Sequence, residues 1–233
     1  MTYNNDNLTR RLEAVRDRLR RAEKRFGREE AAVALVAVSK TRPAEAIRAC
    51  AEAGQQLFGE SYLQEATDKV TALFGLNLQW HFIGPIQSNK TRPIAENFQW
   101  VHSVDRLKIA RRLSEQRPEG IPPLNICLQV NVSGEVSKSG AGLDELPNLA
   151  HEVTALPNLR LRGLMCIPAP ADDFEKQREP FRKLREAKTA LQRDGLDLDT
   201  LSMGMSHDLE AAVAEGATMV RIGTAIFGPR NYR

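Results

Sequence analysis

Lys40, Ser206 and the pair Gly223-Thr224 are the residues of this chain whose types and settings point to chemistry. Lys40 stands where an apolar run stops: residues 31–38 (A-A-V-A-L-V-A-V) carry no charge and lead into Ser39-Lys40-Thr41-Arg42-Pro43. An amine at the carboxyl end of a buried strand loses hydration, which lowers its pKa and suits it to Schiff-base formation. The alternative is a solvated lysine at a strand end. Ser206 lies in Ser202-Met203-Gly204-Met205-Ser206-His207-Asp208, just before a helical segment, where it offers a hydroxyl and an adjacent N–H. Gly223 permits close backbone approach, and Thr224 adds a second hydroxyl. Hydroxyls and N–H groups of this kind suit an anion, although each loop alone also reads as an N-cap serine or a glycine turn.

The elements that must position these residues alternate along the chain. Leu8, Leu12, Val15, Leu19, Ala22 and Phe26 recur every three or four residues, the stripe of an amphipathic helix that Gly27 ends. Strand-type runs follow at 33–38, 56–58, 78–83, 99–101, 124–132, 160–165, 200–202 and 218–222. Helical patterns lie between them at 43–53, 62–73, 91–97, 106–116, 143–155, 174–193 and 208–215, with Pro43 in the first turn of the first of these. Eight strands with interposed helices predict an α/β chain folded as a single (β/α)8 TIM-type barrel with an extra N-terminal helix. An open doubly wound sheet is the runner-up, but nothing in it favours a count of eight. No Gly-, Pro- or Ser-rich linker divides the chain, so residues 1–233 are expected to form one domain, with residues 1–28 as a helix packing on the barrel. In a barrel, the loops after strands seven and eight often bind phosphate. Ser206 and Gly223-Thr224 occupy those loops and Lys40 follows strand one. Amine and phosphate site together suit an aldehyde held at two points, and pyridoxal phosphate meets both demands.

Composition narrows the classes. The formal net charge is only +3, which gives no electrostatic case for nucleic acid or a membrane surface. The arginines of the first helix are interleaved with Glu13, Asp17 and Glu23, the pattern of a solvated face. The N-terminus is polar with no apolar targeting segment, so a cytoplasmic protein is expected. Cys50, Cys127 and Cys166 are widely spaced in apolar surroundings and read as reduced core residues, not a disulfide framework or a metal site. The four histidines have no metal-ligand spacing, so no metal is expected. His81, between Trp80 and Phe82, reads as a hydrogen-bonded core histidine rather than a base, and His207 as a surface or first-turn residue. No Gly-x-Ser-x-Gly elbow supports a serine hydrolase.

Seven segments appear in order: Val36-Ala37-Val38-Ser39-Lys40-Thr41-Arg42-Pro43, Phe58-Gly59-Glu60, Trp80-His81-Phe82-Ile83-Gly84, Gln87-Ser88-Asn89-Lys90, Arg162-Gly163-Leu164-Met165, Ser202-Met203-Gly204-Met205-Ser206 and Arg221-Ile222-Gly223-Thr224-Ala225-Ile226-Phe227-Gly228. As a set they resemble the pyridoxal phosphate homeostasis proteins, relatives of the alanine racemase N-terminal barrel, from Val33 to Gly228. The resemblance implies Lys40 as the internal aldimine, Ser206, Gly223 and Thr224 at the phosphate, and Arg221 facing the pyridine nitrogen. The family often has asparagine after Phe-Gly-Glu; Ser61 stands there in this chain and is not counted as a site residue. Alanine racemases add a β domain carrying a second, tyrosine base, for which this chain leaves no room before Arg233, so a monomer is expected.

The implied function is that of a non-catalytic carrier in intracellular cofactor homeostasis, affecting amino-acid and keto-acid balance, with pyridoxal phosphate-dependent apo-enzymes as possible recipients. A weak single-domain racemase or lyase is the alternative, and a cofactor-free Schiff-base aldolase a third reading. Residues 131–140 form a polar, glycine-bearing loop expected to be mobile over the barrel mouth. Lys138 within it is a candidate to take the cofactor from Lys40 by transimination during release, or else a solvated loop lysine.

Overall fold

Strands that are apolar on both faces cannot stand at a sheet edge, and here no edge exists. The computed structural model describes residues 5–133 and 139–229. Helix α1 (Asn5–Arg25) precedes β1 (Ala34–Val38), α2 (Ala44–Glu52), β2 (Leu57–Glu60), α3 (Leu63–Ala72) and β3 (Gln79–Phe82). A 3₁₀ turn (Ser88–Lys90) leads into α4 (Thr91–Asn97), β4 (Trp100–Val104), α5 (Leu107–Glu115) and β5 (Leu124–Gln129). Then follow α6 (Leu146–Thr154), β6 (Leu159–Met165), α7 (Phe174–Arg193), β7 (Thr200–Ser202), α8 (Leu209–Ala214), β8 (Met219–Ile222) and α9 (Thr224–Phe227). The strands pair in parallel and in chain order, and β8 closes on β1 through Ala34↔Met219 to Ala37↔Ile222. This is the barrel expected, with the helices outside it.

Where boundaries differ from expectation, polar residues are the reason. β2 extends to Glu60 and β4 to Val104, taking in Gly59-Glu60 and His102-Ser103, which read as loop but are buried. β5 stops at Gln129; beyond it only Val130 bridges to Ala141. α6 starts at Leu146 rather than at 143. The loop residues 134–138, Lys138 among them, lie outside the described residues.

The α1 stripe Leu8, Leu12, Val15, Leu19 and Ala22 is buried against α2, α8 and α9, each large side chain contributing roughly 2 kcal/mol. Arg16 Nη1 also donates to the Ala53 carbonyl at 2.8 Å, tying α1 to the end of α2. Gly27, at φ 63°, turns the chain away from the helix.

Gly163 of β6 lies opposite Thr200 of β7, so close that an added Cβ would sit 1.8 Å from the Thr200 carbonyl oxygen. Backbone cannot yield as a side chain does. Gly163→Ala is expected to cost about 3 kcal/mol or more, measured by chemical denaturation. Gly142→Ala, where the nearest atom is a Glu145 carboxylate oxygen 4.0 Å away, stays within about 0.5 kcal/mol.

Candidate functional site

The carboxyl ends of the strands surround a cleft of about 190 Å³. Lys40 after β1, Ser206 after β7, Arg221 on β8 and Gly223-Thr224 after it all line this cleft, so the five residues singled out from sequence come together. Val38, Ser61, Ile83, Ile167, Met205 and His207 complete the lining. Ser61, set aside on sequence grounds, is thus at the site. His207 is exposed, as expected of a first-turn residue, and borders the cleft.

The backbone under Lys40 is fixed from several directions. Ser39 is buried; its N–H donates to the Gly59 carbonyl at 3.0 Å, and its carbonyl accepts from Arg42 N–H at 3.0 Å and Lys69 Nζ at 2.8 Å. Thr41 has φ 64°, a left-handed conformation that a β-branched residue rarely adopts, at a cost of order 1–3 kcal/mol. Its N–H donates to Glu65 Oε1 at 2.6 Å, which helps hold the turn. Half-buried Lys40 therefore leaves a strand end whose path is locked on both sides.

Below this turn lies a cluster of charges. Buried Lys69 donates to Glu60 Oε1 at 2.8 Å and to Glu65, and Ser39 Oγ donates to the same Glu60 oxygen at 2.6 Å. Glu60 is fully buried, and its Oε2 has no hydrogen-bond partner among the described residues. Burial raises the Glu60 pKa, while Lys69 and Ser39 pull it back.

On the β7–β8 side, Gly204 takes φ 94°, and a Cβ there would meet the Ala212 methyl at 2.5 Å. The loop then turns with Met205 N–H donating to Asp208 Oδ1 at 2.5 Å. Arg18 of α1 reaches into it, giving Nη1 to the Ser206 carbonyl at 2.6 Å and Nε to Glu210 Oε1 at 2.6 Å. Ser206 Oγ accepts from Ala225 N–H at 3.4 Å, joining the two loops. Gly223 passes close to β1, its added Cβ 3.3 Å from the Val38 carbonyl oxygen. Hydroxyls and turn N–H groups thus gather at one site, a suitable setting for an anion.

Arg221 is buried, donating Nη1 to Ser202 Oγ at 2.8 Å and Nη2 to the Cys166 carbonyl at 2.9 Å. Burial lowers its pKa, yet a guanidinium remains a cation at neutral pH. His102 Nδ1 meets Ser202 Oγ at 2.7 Å, and His102 Nε2 meets His81 Nδ1 at 2.8 Å. Burial pushes His81 down to about 3 and His102 well below the usual histidine value. His81 is thus the hydrogen-bonded core histidine expected. The three cysteines are free and buried, each thiol pushed up to about 12 by burial, which removes them as nucleophiles at neutral pH. Among the described residues, no group of His, Cys, Asp or Glu is placed to hold a metal, and no helix is long and apolar enough to cross a membrane.

The sequence model of the alanine racemase N-terminal domain matches residues 11–231. The pyridoxal phosphate homeostasis protein of Pseudomonas aeruginosa is 64% identical over 218 residues, 94% of each chain. This chain belongs to the pyridoxal phosphate homeostasis protein family. The Escherichia coli protein of that name is 52% identical over 230 residues, covering 97% of this chain and 98% of the relative. Among solved structures, PipY of Synechococcus elongatus with pyridoxal phosphate bound superposes with a TM-score of 0.83 at 37% identity, covering 95% of this chain and all of that one.

Within this homeostasis-family barrel, the groups that sequence reading missed are those that support the cleft from outside it. His102 lies in no motif, although the polar pair His102-Ser103 between two valines was a sign of inward-facing polar groups; Ser202 opens one of the seven segments but carries no role in the sequence reading. Lys69 reads as a solvated helix lysine; its spacing of four from Glu65 was the available signal.

Two predictions follow from the buried charges. Lys69→Met strands Glu60 without its cation and is expected to cost about 3–5 kcal/mol in chemical denaturation. The histidines set a pH dependence. Their folded pKa values lie below the unfolded value of about 6.5, so the unfolded chain takes up protons that the fold refuses. Their contribution to stability is complete above about pH 6.5 and is lost as pH falls, by roughly 2.7 kcal/mol for His81 at about pH 4.5. Denaturation at several pH values checks this, and His81→Leu has the shallower acid slope.

Proposed function

We propose that this protein binds pyridoxal 5′-phosphate in the cleft, holds its aldehyde as a Schiff base on Lys40, and serves to store and deliver the cofactor rather than to turn over a substrate. The observation that carries this reading is the convergence of Lys40, Arg221, Ser206 and Gly223-Thr224 on one cleft. An amine for the aldehyde, hydroxyls and turn N–H groups for the phosphate, and a guanidinium for the ring nitrogen match three of the polar parts of that molecule. The naming of the relatives as pyridoxal phosphate homeostasis proteins and the cofactor bound in PipY support the same reading.

When bound, pyridoxal phosphate supplies an electron sink for carbanion chemistry. Arg221 bears on how strongly. A guanidinium has only donors, so it gives a hydrogen bond to the ring nitrogen and discourages that nitrogen from taking a proton. A ring left unprotonated is a weaker sink, which favours storage over turnover, and no catalytic residue is assigned. The chain acts as one monomeric unit in the cytoplasm, α1 included, with pyridoxal phosphate-dependent apo-enzymes as recipients. Lys138 takes the cofactor from Lys40 as it leaves; Lys138→Ala then slows delivery to an apo-enzyme.

Borohydride reduction of the protein equilibrated with pyridoxal phosphate, followed by peptide mapping, is expected to fix the label on Lys40. Label on another lysine, or none, overturns the assignment. Ser206→Ala weakens cofactor binding roughly tenfold through loss of one charge-assisted hydrogen bond. Steady turnover of an amino acid, abolished by Lys40→Ala, would instead establish a racemase or lyase.

A further inference from the structure

We propose that Ser202, His102 and His81 form a one-way hydrogen-bond chain beneath the cleft that positions Arg221, each imidazole carrying its proton on Nε2. The chain begins with a contact across the barrel. His102 lies on β4 and Ser202 on β7, strands that are not neighbours, so the 2.7 Å contact between Nδ1 and Oγ spans the lumen.

Its direction follows from the arginine. Arg221 Nη1 can only donate, and it donates to Ser202 Oγ. Among the described residues, the other hydrogen-bond partner of that hydroxyl is His102 Nδ1, so the hydroxyl proton goes to Nδ1. His102 then carries its own proton on Nε2 and donates to His81 Nδ1 at 2.8 Å. His81 in turn donates Nε2–H to Gln79 Oε1 at 3.1 Å, at the amino end of β3 where the residue is half-buried. Every proton in this sequence has an acceptor. Reversing it would leave the buried Ser202 hydroxyl proton without one, an expensive vacancy in a dry interior.

Electrostatics favours the same direction. Each imidazole turns its bare Nδ1 toward the guanidinium and its N–H away, aligning both ring dipoles with the cation. Burial keeps both rings neutral, and Arg221 reinforces this at His102. The other charged and titratable groups around the chain are Asp208, Cys127 and Cys166, which bear on Arg221, and Arg162, whose guanidinium lies 4.9 Å over the Trp100 ring that stacks on His81. None of the three chain residues lines the cleft; they act through Arg221, whose plane is set by Ser202 on one Nη and the Cys166 carbonyl on the other. The link to cofactor binding rests on the function proposed above, whereas the chain itself is a property of the protein alone.

Nitrogen NMR of the cofactor-free protein tests it directly. His81 and His102 are each expected to show a protonated Nε2 and a bare Nδ1, unchanged between about pH 8 and about pH 5. A protonated Nδ1 on His102 in the unsubstituted protein, or imidazolium there at about pH 5, overturns the proposal. Positioning is read from the Arg221 side-chain signals: resolved in the unsubstituted protein and in His102→Asn, whose amide oxygen can replace Nδ1, and averaged by rotation in His102→Leu. Pyridoxal phosphate affinity should fall roughly tenfold in His102→Leu and recover in His102→Asn. A His102→Leu protein that matches the original in Arg221 signals and affinity overturns the positioning role. Failure of the unsubstituted protein to take pyridoxal phosphate overturns the carrier reading instead, and the cofactor-free spectra then decide the chain.

Discussion

A closed barrel of eight parallel strands leaves no edge for water to reach and little solvent inside, so a polar side chain turned inward must be satisfied by another. In this chain that constraint falls on Arg221. Its guanidinium is buried among strands, and the hydrogen bonds that hold it run to β7 through Ser202 and to the end of β6 through the Cys166 carbonyl. From Ser202 the polar contacts continue across the lumen to β4 and β3. A cation at the floor of the cleft is thus held by the same packing that closes the barrel.

A second buried charge governs the other wall. Glu60 and Lys69 sit under the turn that carries Lys40, and Ser39 belongs to both. A buried pair of this kind adds little net stability over an apolar pair of equal volume, but losing one member is costly. What it contributes here is geometry. With Glu65 it braces Thr41 in a backbone conformation that a threonine would not hold alone, and so directs the strand end bearing the amine.

Much of this was legible in the sequence. Apolar runs ending in polar, glycine-containing loops indicated eight strands, and the chemistry-bearing residues lay at the ends of the first, seventh and eighth. The cleft therefore emerged from topology alone once the barrel was assumed. The supporting shell did not, because its residues have ordinary local readings. Lys69 is a charged residue on an amphipathic helix, Ser202 ends a three-residue strand, and His102 lies in a run that resembles the start of a loop. Only closure brings His102 to Ser202, one hundred positions away. Likewise, the arginines of α1 read correctly as a mostly solvated face, yet Arg18 departs from that face to hold the carbonyl of Ser206.

That last contact makes the leading helix a thermodynamic partner of the cleft. Arg18 engages the Ser206 carbonyl and Glu210 on α8, so the docked helix favours the arrangement of the loop that makes both contacts. By linkage, whatever binds more tightly to that arrangement must also bind α1 more firmly to the barrel, and by the same factor in free energy. Fraying of an outer helix, far from any ligand atom, then appears as weakened affinity, because only the docked fraction is competent to bind.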